Sequence, residues 1–199
     1  MTERLRIHIT WLFALVLIAL ILFSKSIWEV RAPLVSSTLF LIGIFLVGIA
    51  SMGRLWCSLY IGGYKTDQLV TLGPYSMCRN PLYFFNLLGG MGVGFASGTL
   101  SIPAVVICAF SLYYPFVILS EQKNLFKIHG KEYETYVRST PAFFPKPSLL
   151  KEPAEYTVKP LIFRRRILGA VWFVWLVGIL EFIEEAHELQ LLPILFRLY

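Results

Sequence analysis

The 199-residue chain is too apolar for a soluble fold. Its mean hydropathy is +0.68, 57% of its residues are hydrophobic and only 15% are charged, against about 25% in soluble domains. These values indicate a polytopic membrane protein that forms one compact domain. The net charge of +6 is unevenly spread, which makes nucleic acid a poor partner, and the three cysteines lack the spacing of a disulfide framework or a zinc site.

Charge-free stretches predict the membrane-spanning helices, because a helix needs about 20 apolar residues to cross the bilayer. The first two predicted spans are residues 7–24 and 32–53. Residues 80–120 carry no charge over about twice the length of one span, and residues 97–103 contain Ser, Gly and Pro. We therefore expect spans three and four to form a hairpin that turns at 97–103.

A fifth apolar run covers residues 167–180 and is short for a span. It crosses the bilayer only if it continues through Glu181 to about residue 183. The predicted fold class is thus an all-α membrane helix bundle of about five transmembrane helices.

The distribution of basic residues predicts the orientation of the bundle. With the N-terminus in the cytoplasm, all of the 18 Lys and Arg residues except Lys25, Arg31 and Arg197 fall on the cytoplasmic side. Cytoplasmic loops are enriched in Lys and Arg. We therefore expect an integral membrane protein whose N-terminus, and whose polar clusters described below, face the cytoplasm.

A proline-rich segment follows the fourth span. Residues 139–160 hold five of the eleven prolines, so they cannot form a long helix. We expect an ordered loop over the cytoplasmic end of the bundle, with Phe143 and Phe144 in the interface. Before it, residues 121–138 mix apolar and charged side chains as an amphipathic surface helix does.

The first polar cluster lies where span three begins. Gly73 and Pro74 predict a turn, and Asn80 followed by Pro81 is the pattern of a capped helix start. Capping explains Asn80 and Pro81 fully. It does not explain why three further side chains that can bind a ligand converge there, namely Tyr75, Arg79 and Tyr83.

Glu121 closes span four in this interpretation. A carboxylate is unfavourable at a helix C-terminus, which favours a functional role over a solvated helix end. Because the hairpin places the cytoplasmic ends of spans three and four side by side, Glu121 is predicted to lie near Arg79, Asn80 and Tyr83. Arg79 beside a positive helix N-terminus would suit a carboxylate or another anion.

Three other patterns have simpler explanations. The glycines of residues 89–94 favour close helix packing, with Gly90 and Gly94 four residues apart, over a phosphate loop. The single Glu-x-x-His of Glu184 and His187 lacks the second motif of a di-metal bundle, so a solvated helix end is favoured and no metal is implied. Glu181 differs, because an intramembrane carboxylate is a functional candidate by default.

Five blocks in register resemble the isoprenylcysteine carboxyl methyltransferase-like family of integral membrane methyltransferases, a family related to the phospholipid methyltransferases. The resemblance covers about residues 54–147, in both order and spacing. The blocks are Leu69–Tyr75 (LVTLGPY), Arg79–Tyr83 (RNPLY), Glu121–Leu125 (EQKNL), His129–Tyr136 (HGKEYETY) and Pro141–Pro145 (PAFFP).

The resemblance implies S-adenosylmethionine as cofactor, S-adenosylhomocysteine as product, and a lipid or lipophilic small molecule as methyl acceptor. Together with the residue patterns above, it leaves Arg79 and Glu121 as the candidate catalytic residues. Arg79 would orient the acceptor or a carboxylate of the cofactor. The residues that the resemblance assigns to the cofactor are Asp67, Gln68, Leu69, Val70, Tyr75, Asn80, Pro81, Leu82, Tyr83 and Glu121.

Three positions depart from the family pattern. Asn80 replaces a His and cannot titrate, and Gln122 replaces the second Glu of a pair. The eukaryotic carboxyl methyltransferases place an Arg, which meets the substrate carboxylate, where this chain has Val117. The acceptor atom is therefore open between oxygen, nitrogen and sulfur, with less weight on a carboxylate held in that way.

These patterns divide the chain into three parts. Residues 1–53 form two N-terminal transmembrane helices, 54–147 the methyltransferase core, and 148–199 a proline-rich loop with a C-terminal transmembrane helix and tail. Two functions of other classes stay open. One is a non-catalytic membrane scaffold of the same fold, and the other is a small transporter with Glu181 as an ion site.

Overall fold

Long apolar helices form the body of the molecule, and the computed structural model describes residues 15–16, 18–64 and 68–199. Three of these helices are long and apolar enough to cross a membrane, and a shorter apolar helix accompanies them. The elements in chain order are α1 (18–23), β1 (Ser24–Ser26), α2 (Trp28–Arg31), α3 (Pro33–Ile61), α4 (Pro74–Met77), α5 (Pro81–Ala96), α6 (Ser101–His129), α7 (Lys131–Ser139), a 3₁₀ turn (Pro147–Leu149), α8 (Pro160–Glu188) and β2 (Phe196–Leu198).

The predicted all-α membrane bundle is confirmed. Predicted spans two, four and five correspond to α3, α6 and α8, and predicted span three to the shorter apolar helix α5. The hairpin turn between α5 and α6 lies where it was expected. The first predicted span, residues 7–24, falls largely outside the described residues, and the described part of it is helical at 15–16 and 18–23.

The predicted end of span two is wrong. The charge-free stretch stops before Arg54, but α3 continues for two further turns to Ile61. Backbone hydrogen bonds propagate a helix regardless of the charge on a side chain, so a charge alone does not mark a helix end. The predicted boundary between residues 53 and 54 therefore falls inside one helix.

The predicted surface helix over 121–138 is also wrong. Helix α6 runs through Glu121 without a break and ends at His129. Gly130 then adopts a left-handed backbone with φ of 52°, a conformation that glycine adopts without strain. The chain turns there and forms the separate nine-residue helix α7.

The fifth run belongs to a helix that is long and apolar enough for a full span. Helix α8 has 29 residues and includes both Arg164–Arg166 and Glu181. As expected, the proline-rich segment between α7 and α8 contains no long helix, only the 3₁₀ turn.

Glycines allow α3 and α5 to approach at backbone distance. A Cβ on Gly43 would lie 2.5 Å from the Ala96 nitrogen, and a Cβ on Gly92 would lie 2.9 Å from the Gly43 oxygen. On the other side of α5, Gly90 and Gly94 lie against α6. Close packing by the α5 glycines is thus confirmed.

The C-terminal segment closes the end of the bundle where α6 begins. Strands β1 and β2 pair in parallel, and the main-chain oxygen of Tyr199 accepts hydrogen bonds from the backbone nitrogens of Leu100 and Ser101 at 2.7 and 2.8 Å. The sequence patterns did not predict this small sheet.

Candidate functional site

The turn around Gly73 is fixed by the proline-rich segment that crosses it. Gly73 has φ of 59°, and a Cβ there would lie 2.4 Å from the Tyr60 ring, so only glycine fits. The Gly73 nitrogen donates to the Lys151 oxygen at 2.8 Å. The Ser76 hydroxyl donates to the Gly73 oxygen at 2.6 Å and accepts from the Lys151 nitrogen at 2.9 Å.

The same segment also holds the start of α5. The Arg79 nitrogen donates to the Pro141 oxygen at 2.9 Å, and the Asn80 side-chain amide donates to the Ala142 oxygen at 2.8 Å. Asn80 stands at the N-cap position, with Pro81 following as predicted, but its side chain makes no capping hydrogen bond. The predicted capping role of Asn80 is therefore wrong, because its side-chain oxygen accepts no hydrogen bond from the first turn of α5.

Buried tyrosines from α4 and α7 pack together at this turn. Tyr75, Tyr133 and Tyr136 are each less than 8% exposed, and the Tyr136 hydroxyl donates to the Tyr75 oxygen at 2.6 Å. Burial raises the pKa of all three phenols. They are therefore neutral hydrogen-bonding groups in the physiological range.

Arg79 and Glu121 meet at these tyrosines. The Arg79 guanidinium lies close enough to Tyr133 to oppose, through its charge, the rise in the pKa of that phenol caused by burial. The Glu121 carboxylate lies close enough to Tyr75 and Tyr133 to add, by charge repulsion, to the rise in the pKa of both phenols. The structure thus brings together Tyr75, Arg79 and Glu121, as the sequence predicted, with two tyrosines of α7.

Two polar atoms in this cluster are buried and have no hydrogen-bond partner among the described residues. They are the Tyr75 hydroxyl and the Arg79 Nε. Buried polar groups are normally hydrogen-bonded, and an exception calls for a ligand, water or other explanation. Cys78 lies beside them, but burial raises its pKa to about 12, so it is a neutral thiol and not a nucleophile.

The other predicted cofactor residues lie in different surroundings. Tyr83 contacts the Tyr114 ring edge-on, with centroids 5.0 Å apart. Leu82 and Val70 pack on the core formed by Cys57, Tyr60, Tyr75 and Phe85. Pro81 is buried, Leu69 is half-buried and Gln68 is exposed, whereas Asp67 lies outside the described residues.

The chemistry of this cluster fits the groups of S-adenosylmethionine. A guanidinium suits its carboxylate, and a carboxylate suits its ammonium or its ribose hydroxyls. Arg79 and Glu121 supply one of each, and the unpartnered Tyr75 hydroxyl supplies a further polar contact.

Arg54 is a functional candidate that the sequence interpretation missed. It was counted among the cytoplasmic charges, but it lies within α3 and contacts Asn86 of α5 and Gly169 of α8. The signal was present in the sequence, because residues 55–64 beyond Arg54 are again uncharged.

Glu181, the residue on which the alternative transporter hypothesis depends, lies at the opposite end of the bundle. Glu181 lines a cavity of about 220 Å³ together with Glu29 and Glu184. Lys25 pairs with Glu29 at 2.8 Å. His187 is buried, and its Nε2 hydrogen-bonds the Leu22 oxygen at 3.0 Å. The expectation that this helix end is solvated is therefore wrong for His187. Within the described ranges, no three His, Cys, Asp or Glu residues could hold a metal ion.

Comparison with known proteins gives one family and two close relatives. The family described as phospholipid methyltransferase matches residues 32–132. The cobalt-zinc-cadmium resistance protein CzcN of Cupriavidus metallidurans is 41% identical over 93% of this chain and 84% of its own length. The nickel-cobalt-cadmium resistance protein NccN of Alcaligenes xylosoxydans xylosoxydans is 41% identical over 90% and 83%. No solved structure matches the chain.

Proposed function

This chain is an integral membrane protein of the phospholipid methyltransferase family, and on that premise we propose that it transfers a methyl group from S-adenosylmethionine to a lipophilic, membrane-embedded acceptor. The observation that carries the proposal is the cluster of Tyr75, Arg79 and Glu121, with its buried and unpartnered polar atoms. Methyltransferases of this family generally use S-adenosylmethionine.

The residues of the site have distinct roles in this proposal. When bound, S-adenosylmethionine supplies a sulfonium methyl group, which an acceptor lone pair takes as the carbon–sulfur bond breaks. Arg79 holds the cofactor carboxylate or orients the acceptor, and Glu121 binds the cofactor. Residues 68–70 and Asn80 to Tyr83 complete the binding surface. Positioning of the reactants can supply roughly 7–11 kcal/mol of the barrier reduction.

An aromatic wall supports entry of the acceptor from the bilayer. Phe110 stacks on Tyr114 at 3.7 Å, and Phe143 of the proline-rich segment lies against Phe110 and Phe84. Phe144 is 75% exposed. This wall would keep water from the reacting atoms while accepting an apolar chain, and the cofactor would enter from the cytoplasm beneath the proline-rich segment.

The names of the two relatives suggest a biological setting. Both are called resistance proteins for cobalt and cadmium, with zinc or nickel. We propose that methylation of a membrane component contributes to metal resistance. A non-catalytic scaffold and a transporter using Glu181 are the competing functions. The transporter predicts that Glu181→Gln abolishes function and Tyr83→Ala does not, and the enzyme predicts the reverse.

Calorimetric titration of the detergent-solubilised protein with S-adenosylhomocysteine tests the cofactor site. The wild type should bind with micromolar affinity, and Glu121→Gln should weaken binding at least tenfold. Glu132→Gln is the matched control, because Glu132 is an exposed carboxylate of α7, and it should bind like the wild type. A folded wild-type protein that binds no S-adenosylhomocysteine would refute the proposal.

A further inference from the structure

The end of the proline-rich segment lies beyond the stretch that matches the family. The match covers residues 32–132, whereas residues 151–159, here called the strap, lead into α8 at Pro160. The strap lies against the chain between Gly63 and Gly73. That stretch contains residues 68–70, which belong to the proposed cofactor surface. A part of the molecule that the family match does not include is therefore next to the candidate site.

The strap runs antiparallel to residues 63–73 and is joined to both ends of that stretch. At one end, the Gly73 nitrogen donates to the Lys151 oxygen at 2.8 Å, and the two residues form an antiparallel bridge. At the other end, the Lys159 Nζ donates to the Gly63 oxygen at 2.8 Å. The residues proposed to bind the cofactor thus lie between two points that the strap holds.

Further contacts strengthen the junction at Gly63. The Lys159 Nζ lies 4.7 Å from the centre of the Tyr64 ring, a distance that suits a cation–π interaction. The Tyr64 hydroxyl donates to the Thr157 oxygen at 3.1 Å. A Cβ on Gly63 would lie 2.4 Å from the Lys159 Cδ, so the Lys159 stem packs directly on the backbone. Both the ammonium and the stem of Lys159 therefore hold this junction.

Tyr156, in the middle of the strap, packs on the same core as two of the cofactor residues. Its ring lies on the Tyr60 ring with centroids 4.6 Å apart, and its hydroxyl donates to the Tyr60 oxygen at 2.8 Å. The Tyr60 ring fills the space that a Cβ on Gly73 would need. Tyr75 belongs to this core, and Val70 packs against it. A change at Tyr156 therefore reaches the cofactor surface through Tyr60.

The strap supplies partners that residues 63–73 do not provide for themselves. The described part of that stretch contains neither helix nor strand, so its shape depends on contacts from outside. Backbone N–H and C=O groups need hydrogen-bond partners, and at Gly63 and Gly73 those partners come from the strap. A binding surface that is held in its bound shape loses less conformational entropy when its ligand binds.

We propose that the strap positions residues 68–75 for the cofactor, with Tyr156 and Lys159 as positioning residues, and so raises the affinity for S-adenosylmethionine. The inference rests on the proposed methyltransferase function. It assigns a role to a part of the chain outside the family match. Both residues act through the backbone, Tyr156 at Tyr60 and Lys159 at Gly63.

Calorimetric titration of the detergent-solubilised protein with S-adenosylhomocysteine tests Lys159. Lys159→Met keeps an unbranched apolar stem but removes the ammonium, and it should weaken binding about fivefold, the weight of one hydrogen bond. Lys159→Arg keeps a cation that can donate to the Gly63 oxygen, and it should bind within twofold of the wild type. Glu155→Gln is the control, because Glu155 is an exposed carboxylate of the strap, and its affinity should be unchanged.

The same titration and methyl-transfer kinetics test Tyr156. Tyr156→Ala removes the ring from Tyr60 and should weaken binding at least tenfold, whereas Tyr156→Phe keeps the ring and should lose less. Tyr156→Ala and Lys159→Met should both raise the KM for S-adenosylmethionine and leave kcat within twofold of the wild type. Lower kcat at unchanged KM, or wild-type affinity in both variants, would overturn the positioning role.

Hydrogen exchange of the cofactor-free protein separates positioning from general destabilisation. Lys159→Met and Tyr156→Ala should speed amide exchange in residues 68–75 and leave α5 and α6 as protected as in the wild type. Unchanged exchange in residues 68–75, or an equal increase in all of these segments, would overturn the role of the strap. A folded wild type that binds no S-adenosylhomocysteine would instead refute the cofactor site.

Discussion

Individual residues fix the candidate site through contacts that leave little freedom. Gly73 combines a left-handed backbone with a tyrosine ring on its Cβ side, and Asn80 gives its amide to the loop that covers the site. The sequence predicts the turn at Gly73 and Pro74, because both residues have strong backbone preferences. It cannot predict the partner of Asn80, because that partner is a carbonyl 62 residues away.

Gly73→Ala should destabilise the protein by about 2–4 kcal/mol, since it adds backbone strain to a steric clash. Gly130→Ala is the matched control: it also has positive φ but open space around its Cβ, and we expect about 1 kcal/mol. Chemical denaturation in mixed micelles measures both. Equal losses for the two variants would show that the Tyr60 contact is unimportant.

At the scale of elements, charge-free stretches predict the positions of α3, α5, α6 and α8 but misplace their ends. Arg54 and Glu121 both fall inside helices that were expected to stop there. The helix end at Gly130 is set by backbone conformation, which hydropathy does not measure. The position of Arg54 within a helix was missed for the same reason. It becomes apparent only once α3 is known to continue to Ile61.

The docking of α7 should weaken at alkaline pH. Burial raises the pKa of Tyr133 and Tyr136 above the ordinary value of 10.0. The folded state therefore keeps protons that the unfolded state loses, and stability, fully present below about pH 10, falls as pH rises beyond it. Thermal unfolding from pH 8 to 11 should show this fall.

Replacing these two phenols should reduce that alkaline loss. The double variant Tyr133→Phe/Tyr136→Phe should lose less stability above pH 10 than the wild type, although it starts lower because the Tyr136 hydrogen bond, worth about 1 kcal/mol, is gone. Tyr199→Phe replaces an exposed ring and should follow the wild type. If the double variant lost as much stability above pH 10 as the wild type, the alkaline loss would not come from Tyr133 and Tyr136.

At the scale of the whole molecule, backbone contact between α3 and α5 aligns the ends of the helices. A Cβ at Gly43 would strike the backbone of Ala96 and Gly92, which cannot yield as a side chain can. Gly43→Ala should therefore lower stability by about 2 kcal/mol or more, in denaturation measured in mixed micelles. Gly48→Ala, on the same helix with nothing within 4 Å, should be neutral or slightly stabilising. Equal changes in stability for Gly43→Ala and Gly48→Ala would contradict the backbone contact between α3 and α5.

The family could be predicted from the sequence because its motifs are local blocks in a fixed order, and the family match over residues 32–132 agrees with them. The C-terminal part could not be predicted in this way. Its small sheet, and the Tyr199 oxygen that caps α6, depend on contacts between distant residues that no local pattern marks.

We propose that Glu121 belongs to a catalytic methyltransferase site, and turnover tests this role most directly. The purified protein would be placed in nanodiscs of total membrane lipid, supplied with S-adenosylmethionine carrying a labelled methyl group, and assayed for label in the extracted lipid. We expect labelled lipid with wild type and Glu132→Gln, and at least a tenfold lower rate with Glu121→Gln. Absence of label with a folded wild type that binds S-adenosylhomocysteine, or equal rates for Glu121→Gln and wild type, would contradict it.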